Sequence, residues 1–276
     1  MKTRIISGLI IAPLLILVLL GGPWIKGAVF VITIMGLYEF YRGFHSIDVH
    51  PSYPIAVVSI CLLYFINIIT YYFHPFSPGV TLFLYMMWFF VSVLMCLLYL
   101  FKIEERDLAD AMATITGIVY IGFFAYHAVL AEDTFAVLCG VSPVWLILIT
   151  AFGTDIFAYF GGYFLGKHKL CPNISPKKTI EGSICGTLAS TLLCTGFGYL
   201  FMDREYMLAF VLVGLAGGIF SQFGDLTASI FKRKMGIKDY GHLIPGHGGI
   251  MDRFDSVIFT SPMIFYVLMF FFADKL

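Results

Sequence analysis

The 276-residue chain is poor in charge: only 12% of its residues are Asp, Glu, Lys or Arg, about half the share of a soluble domain. Its formal net charge is zero and no long basic run is present, so nothing in it suggests nucleic acid as a partner. Six cysteines are scattered, mostly inside apolar runs, and none forms a C-x-x-C pair. That excludes a disulfide framework and a thiolate zinc site as organising features. A Walker-type G-x-x-x-x-G-K-[ST] is missing, as is a G-x-G-x-x-G following a strand. The first apolar run lacks a small-residue cleavage site of the A-x-A kind and continues into "GGPWIKG". It is therefore expected to stay as a first helix rather than leave as a signal peptide. There is no clear internal repeat and no low-complexity segment.

What the chain has instead is apolar length. Hydrophobic residues make up 60% of it, and runs of ~18 or more recur throughout, the signature of membrane-spanning helices. Nine spans are predicted, near residues 5–22, 27–44, 54–72, 79–101, 110–130, 143–165, 183–201, 206–231 and 255–273, each a helix because lipid offers backbone groups no other partner. With the N-terminus on the inner side, fourteen of the seventeen Lys and Arg fall in inner segments, and only Lys26, Arg204 and Lys275 fall outside. This asymmetry predicts an all-α polytopic protein with a cytoplasmic N-terminus and its C-terminus on the outer side. Residues 1–141 read as scaffold helices. Residues 142–276 read as a catalytic region with two cytoplasmic loops, 167–182 and 232–254.

Ionisable residues in spans are costly and usually functional. Glu39 and Arg42, one turn apart near an inner helix end, are expected to form an interfacial ion pair. Asp155 shares a helix face with Tyr159 and Gly162 and must point into the bundle or a wet cavity. In "VGLAGGIFSQFGDLTASIFKRK", Ser221, Asp225, Ser229 and Lys232 fall in one stripe, which suits a polar cavity open to the cytoplasm. Gly214 and Gly218 of the same span are spaced for close approach of another helix.

The first loop, "GKHKLCPNISPKKTIEGS", offers Ser175, Lys177, Lys178 and Thr179 as hydroxyl and cationic donors. Alone it would be an ordinary basic loop facing anionic lipid. The second, "KRKMGIKDYGHLIPGHGGIMDRFD", gathers Lys232, Arg233, Lys234, Lys238 and Arg253 with Asp239, Asp252 and Asp255. Gly246, Gly248 and Gly249 allow backbone N–H groups to approach an anion. Carboxylates, many cations and a glycine turn together make the set needed for a metal-bound polyphosphate. His242 and His247 are spaced five apart with no third soft ligand, which argues against zinc. His247 fits better as a donor to phosphate, and His242 as plain loop.

The run S-x-F-K-R-x4-K-D-x-G-x2-I-P-x-H-G-G-I-x-D-R-F-D, Ser229 to Asp255, resembles the signature of phosphatidate cytidylyltransferases (CDP-diacylglycerol synthases), with no departure at a fixed position. D-x-x-A-Y at Asp155–Tyr159 and S-P-K-K-T-x-E-G at Ser175–Gly182 are similar to that family too. The resemblance is strong over the last 125 residues and rests on hydropathy before that. It implies a multi-pass enzyme of the cell (inner) membrane, its active site facing the cytoplasm, joining CTP and phosphatidic acid to give CDP-diacylglycerol and pyrophosphate. It further implies a homodimer, Mg2+ held by Asp225 and Asp252, and K+ as a second ion. The residue chemistry agrees: a lipid phosphate monoester is already a nucleophile, so no Ser–His or Cys–His pair is needed and none is evident. Lys232, Arg233, Lys238 and Arg253 are candidates for the triphosphate and leaving pyrophosphate. Asp155, Ser229, Asp239, Asp255, His247, Gly248 and Gly249 complete the expected substrate site. Ser175, Lys177, Lys178 and Thr179 would hold lipid phosphate or nucleotide. A CTP-dependent polyprenol or phytol kinase is the nearest rival but would need a base for a neutral alcohol. A transporter would not need so dense a polar loop, and the D-G-x2-A-R motif of CDP-alcohol phosphotransferases is missing.

Overall fold

The computed structural model describes residues 16–72, 76–201, 204–243 and 248–275. Among these, eight helices are long and apolar enough to cross a membrane, and they correspond to the second through ninth predicted spans. Most of the first predicted span, and His247 with Gly246, lies outside the described residues; residues 16–20 of that span are helical.

Helix α1 (Gly22–Phe44) starts where Gly21 adopts φ 67°, with a proline in its first turn. It is followed by α2 (Tyr53–Tyr72) and α3 (Pro78–Tyr99), whose Ser77 cap accepts from the Val80 N–H. Helix α4 (Leu108–Gly117) begins in a reciprocal Asp107/Asp110 capping box. It passes through a wide π turn at Ile118–Phe123 into α5 (Phe124–Cys139). This span is longer than the predicted 110–130 because Glu132 and Asp133, which end the apolar run, find partners inside the protein. Asp133 pairs with Lys26 at 2.6 Å and accepts from Asn67, while Glu132 accepts from the Gly22 N–H and Ser142.

The second half comprises α6 (Val144–Leu165), α7 (Ile180–Phe201), α8 (Met207–Lys234) and α9 (Met251–Phe272). Small residues let these four cross closely. Gly186 lies against Thr154 and Ala158, Gly218 against Ser190 and Thr187, and Gly224 against Asp255 and Ser256. Gly214 meets the backbone at Ser190 and Thr191, as its spacing from Gly218 predicts. The first inner loop is more ordered than a plain polar loop. Strands β1 (Lys169–Cys171) and β2 (Ser175–Thr179) form a short antiparallel hairpin, with Lys169 opposite Thr179 and Cys171 opposite Ser175.

The helices alternate in direction. Lys26, Asn67 and Asp133 meet at one end of the bundle, where Lys275 also stacks on Tyr206. At the other end Arg42 bonds the Tyr240 carbonyl, Ser46 bonds the Met235 carbonyl, and Arg233 reaches the Ile174 carbonyl. Both polar loops and the end of α1 therefore share that second end.

Candidate active site

The site is assembled from three segments that meet beside an open cavity of about 1070 Å3. Asp155, Tyr159 and Gly162 of α6 line it as one face, opposite Lys177, Lys178 and Thr179 of the hairpin and Gln222 of α8. The exposed rings of Tyr159 and Tyr163 stand at its wall.

The hairpin is fixed at its base by Glu181. Its carboxylate accepts from the Lys167 N–H at 3.1 Å, the His168 N–H at 3.2 Å and His168 Nδ1 at 2.7 Å. Thr179 is buried, and its hydroxyl accepts from the Gly182 N–H at the start of α7, so that side chain caps a helix as well as lining the cavity. So placed, the hairpin delivers Lys178 onto Asp225 of α8 as an ion pair.

About two turns further along α8, Lys232 donates to Asp252 Oδ1 at 2.8 Å. The other oxygen of Asp252 accepts from the N–H groups of Tyr240 and Gly249, at 2.8 and 3.0 Å. Gly248, at φ 83°, packs directly on this carboxylate, leaving no room for a side chain. The glycine turn thus closes around Asp252 in the first turn of α9. Tyr240, buried under the loop, donates its hydroxyl to the Ala228 carbonyl, and burial pushes its phenol pKa well above the ordinary range.

Asp255 is buried beside Asp225, Asp155 and Lys232 and accepts from the Ser256 N–H at 2.7 Å; the Ser256 hydroxyl in turn reaches Asp155. Arg253 acts electrostatically on Asp155. Of the other predicted residues, Ser229 lies partly buried on the α8 stripe, and Ser221 above it is buried with its hydroxyl unbonded. Arg233 extends to the hairpin turn, while Lys238 and Asp239 are exposed on the loop.

Two contributors differ from expectation. Glu39 and Arg42 do not pair with one another; each turns to the catalytic loop. Glu39 is buried and accepts from the Met251 N–H at 2.9 Å, at the start of α9, with Gly241 and Gly249 packed against its carboxylate. Arg42 donates to the carbonyl of Tyr240, the residue whose N–H holds Asp252. Unbonded N–H groups at a helix start attract a carboxylate more strongly than a flexible guanidinium on the same helix does. The only trace of this in the sequence is an acid inside an apolar run.

Among the described residues no three His, Cys, Asp or Glu side chains converge as a ready metal cage. The donor chemistry is nevertheless that of a hard cation: Asp155, Asp225, Asp252 and Asp255 offer oxygen only. Asp225 and Asp252 each face one lysine ammonium. These residues fit Mg2+.

A model of the Cytidylyltransferase family matches residues 2–271. A phosphatidate cytidylyltransferase of Synechocystis is 32% identical over 95% of this chain and 94% of its own length. Its Staphylococcus haemolyticus namesake is 40% identical over 56% of this chain and 58% of its own. That of Rickettsia bellii is 42% identical over 45% and 57%. The cavity, the lysine–aspartate pairs and these matches lead to one assignment: the chain belongs to the cytidylyltransferase family.

Proposed function

We propose that this membrane protein transfers the cytidylyl group of CTP to phosphatidic acid, forming CDP-diacylglycerol and releasing pyrophosphate. The observation that carries the reading is the pair of contacts Lys178–Asp225 and Lys232–Asp252, which join hairpin, α8 and α9 beside a cavity bordered by exposed tyrosines. The names of the relatives support the same substrates.

The chemical obstacle is electrostatic, because an anionic phosphate monoester must approach the anionic α-phosphorus of a triphosphate. Positioning and charge neutralisation are the catalytic task. A lipid phosphate oxygen forms the new bond to the α-phosphorus, and the bond to the β-phosphate oxygen breaks, with the electron pair leaving on pyrophosphate. Asp225 and Asp252 are the proposed Mg2+ ligands, and bound Mg2+ would neutralise phosphate oxygens there. Lys178 and Lys232, which sit on those same carboxylates, are then placed to turn their ammonium groups to phosphate. Lys177, Arg233 and Arg253 add positive charge at the rim. Glu39 and Arg42 hold the loop that presents Asp252. The acyl chains remain beside Tyr159 and Tyr163 while the headgroup enters.

A homodimer, a second monovalent ion, and a site facing the cytoplasm of a cell membrane belong to the same proposal. They rest on the family resemblance and on the Lys/Arg asymmetry. The reaction is tested with purified protein, CTP, phosphatidic acid and Mg2+. One pyrophosphate should appear per phosphatidic acid consumed, and none when the lipid is omitted. Pyrophosphate release independent of lipid would contradict the reading.

A further inference from the structure

A second basic site lies at the same end of the bundle as the catalytic loops. A cleft of about 960 Å3 opens between the end of α1, the start of α2 and the α3–α4 connection. Arg42, His45, His50 and Arg106 line it with Tyr38 and Tyr99, and no carboxylate is among its described lining residues. Asp48 pairs with His50 at 3.3 Å, buried Asp110 accepts the His50 and Asp107 N–H groups, and Glu105, next to Arg106 in the chain, lies 3.7 Å from Lys102. The Arg106 guanidinium stacks 4.7 Å over Tyr99, and its Nε is buried without a hydrogen-bond partner. The His45 and His50 rings lie 5.2 Å apart.

Two guanidinium groups and two imidazole rings from three segments line the cleft with no carboxylate among its described lining, a donor set that an anion would join. A buried guanidinium N–H without an acceptor points the same way, because such groups are nearly always satisfied. The surroundings narrow the class of anion. The cleft lies where helices end, and tyrosine rings are typical of the level of lipid headgroups. Next to Tyr99 at the end of α3, Leu97, Leu98 and Phe101 remain exposed, an apolar path for acyl chains. Basic pockets between helix ends commonly hold anionic headgroups.

We propose that this cleft binds the phosphate of an anionic phospholipid, as a site separate from the cytidylyl-transfer cavity. Arg106 and the two histidines hold the phosphate. Arg42 already spends one edge of its guanidinium on the Tyr240 carbonyl and contributes charge with the rest.

Native mass spectrometry of the full chain in a neutral detergent tests this. The probes are phosphatidylglycerol, phosphatidylcholine with the same acyl chains, and inorganic phosphate. Wild type should retain phosphatidylglycerol in preference to phosphatidylcholine. Arg106→Gln with His50→Gln should weaken that retention about tenfold, the loss expected on removing charge-assisted contacts to phosphate. Cytidylyl transfer should be left within about twofold, since neither residue touches the other cavity. Because Arg106 is packed on Tyr99, His45→Gln with His50→Gln, both exposed, gives the same reading without disturbing that stack. Unchanged phosphatidylglycerol retention in both double variants would overturn the proposal. So would equal retention of phosphatidylcholine. Displacement of the lipid by equimolar inorganic phosphate would also overturn it, by marking a site for free anions.

Discussion

Asp225 and Asp252 carry similar chemistry in different settings, and substitution should separate them. Either change to Asn is expected to lower turnover by about 100-fold or more, through lost stabilisation of charge on phosphate. Stability should divide them. Asp225 and its lysine are about one-quarter exposed, whereas Asp252 is 4% exposed and also holds the Tyr240 and Gly249 N–H groups. Breaking the more buried pair should cost ~1–3 kcal/mol after allowance for partial solvent access, and the exposed pair under ~1 kcal/mol. Thermal unfolding in detergent should therefore show the larger drop for Asp252→Asn; the reverse order would contradict the loop-clasp role. Glu39→Gln should reduce kcat about tenfold with KM for CTP nearly unchanged, because it loosens the start of α9 without touching substrate. A change confined to KM would place Glu39 in binding instead. Asp225, Asp252 and the lysines stood out in the sequence through the polar stripe of α8 and the run from Ser229 to Asp255 that resembles the family signature. Glu39 did not, because its partner lies 212 residues away and Arg42, one turn off, offers an easier local reading.

Among elements, the hairpin shows what periodicity misses. Its strands are three and five residues long, too short for an alternation signal, and the lysines and proline read as loop. The Glu181 clasp on Lys167 and His168 gives it a shape. Glu181→Ala should speed tryptic cleavage at Lys177 or Lys178 and lower turnover together. Unchanged cleavage with lost activity would mean that Glu181 acts on substrate rather than on the hairpin. At the opposite end, Lys26 is buried against Asp133, Asn67 and the Tyr71 ring. Lys26→Met leaves a buried carboxylate without its cation, and should lower the Tm by the equivalent of ~3–5 kcal/mol while sparing chemistry at the far end. The α5 extension through Glu132 and Asp133 escaped the hydropathy reading for the same reason: acids end an apolar run unless their partners are seen.

For the whole molecule, the second through ninth spans were readable among the described residues from apolar length, since the membrane leaves the backbone few choices. How the spans pack was less legible. Only the Gly214/Gly218 pair announced itself, whereas Gly186 and Gly224 gain meaning from the backbones they meet. The proposal that the catalytic end faces the cytoplasm rests on the distribution of Lys and Arg. In a variant whose native cysteines are replaced, an impermeant maleimide should label Arg204→Cys in intact cells and reach Lys234→Cys only after lysis. The opposite pattern would invert the topology. The central claim, cytidylyl transfer to a phosphatidic acid headgroup, is tested most directly by parallel incubation with [α-32P]CTP and [γ-32P]CTP. Label should enter lipid from the α position alone, and Asp225→Asn should abolish most of it. Label entering lipid from the γ position would contradict the account and identify a kinase.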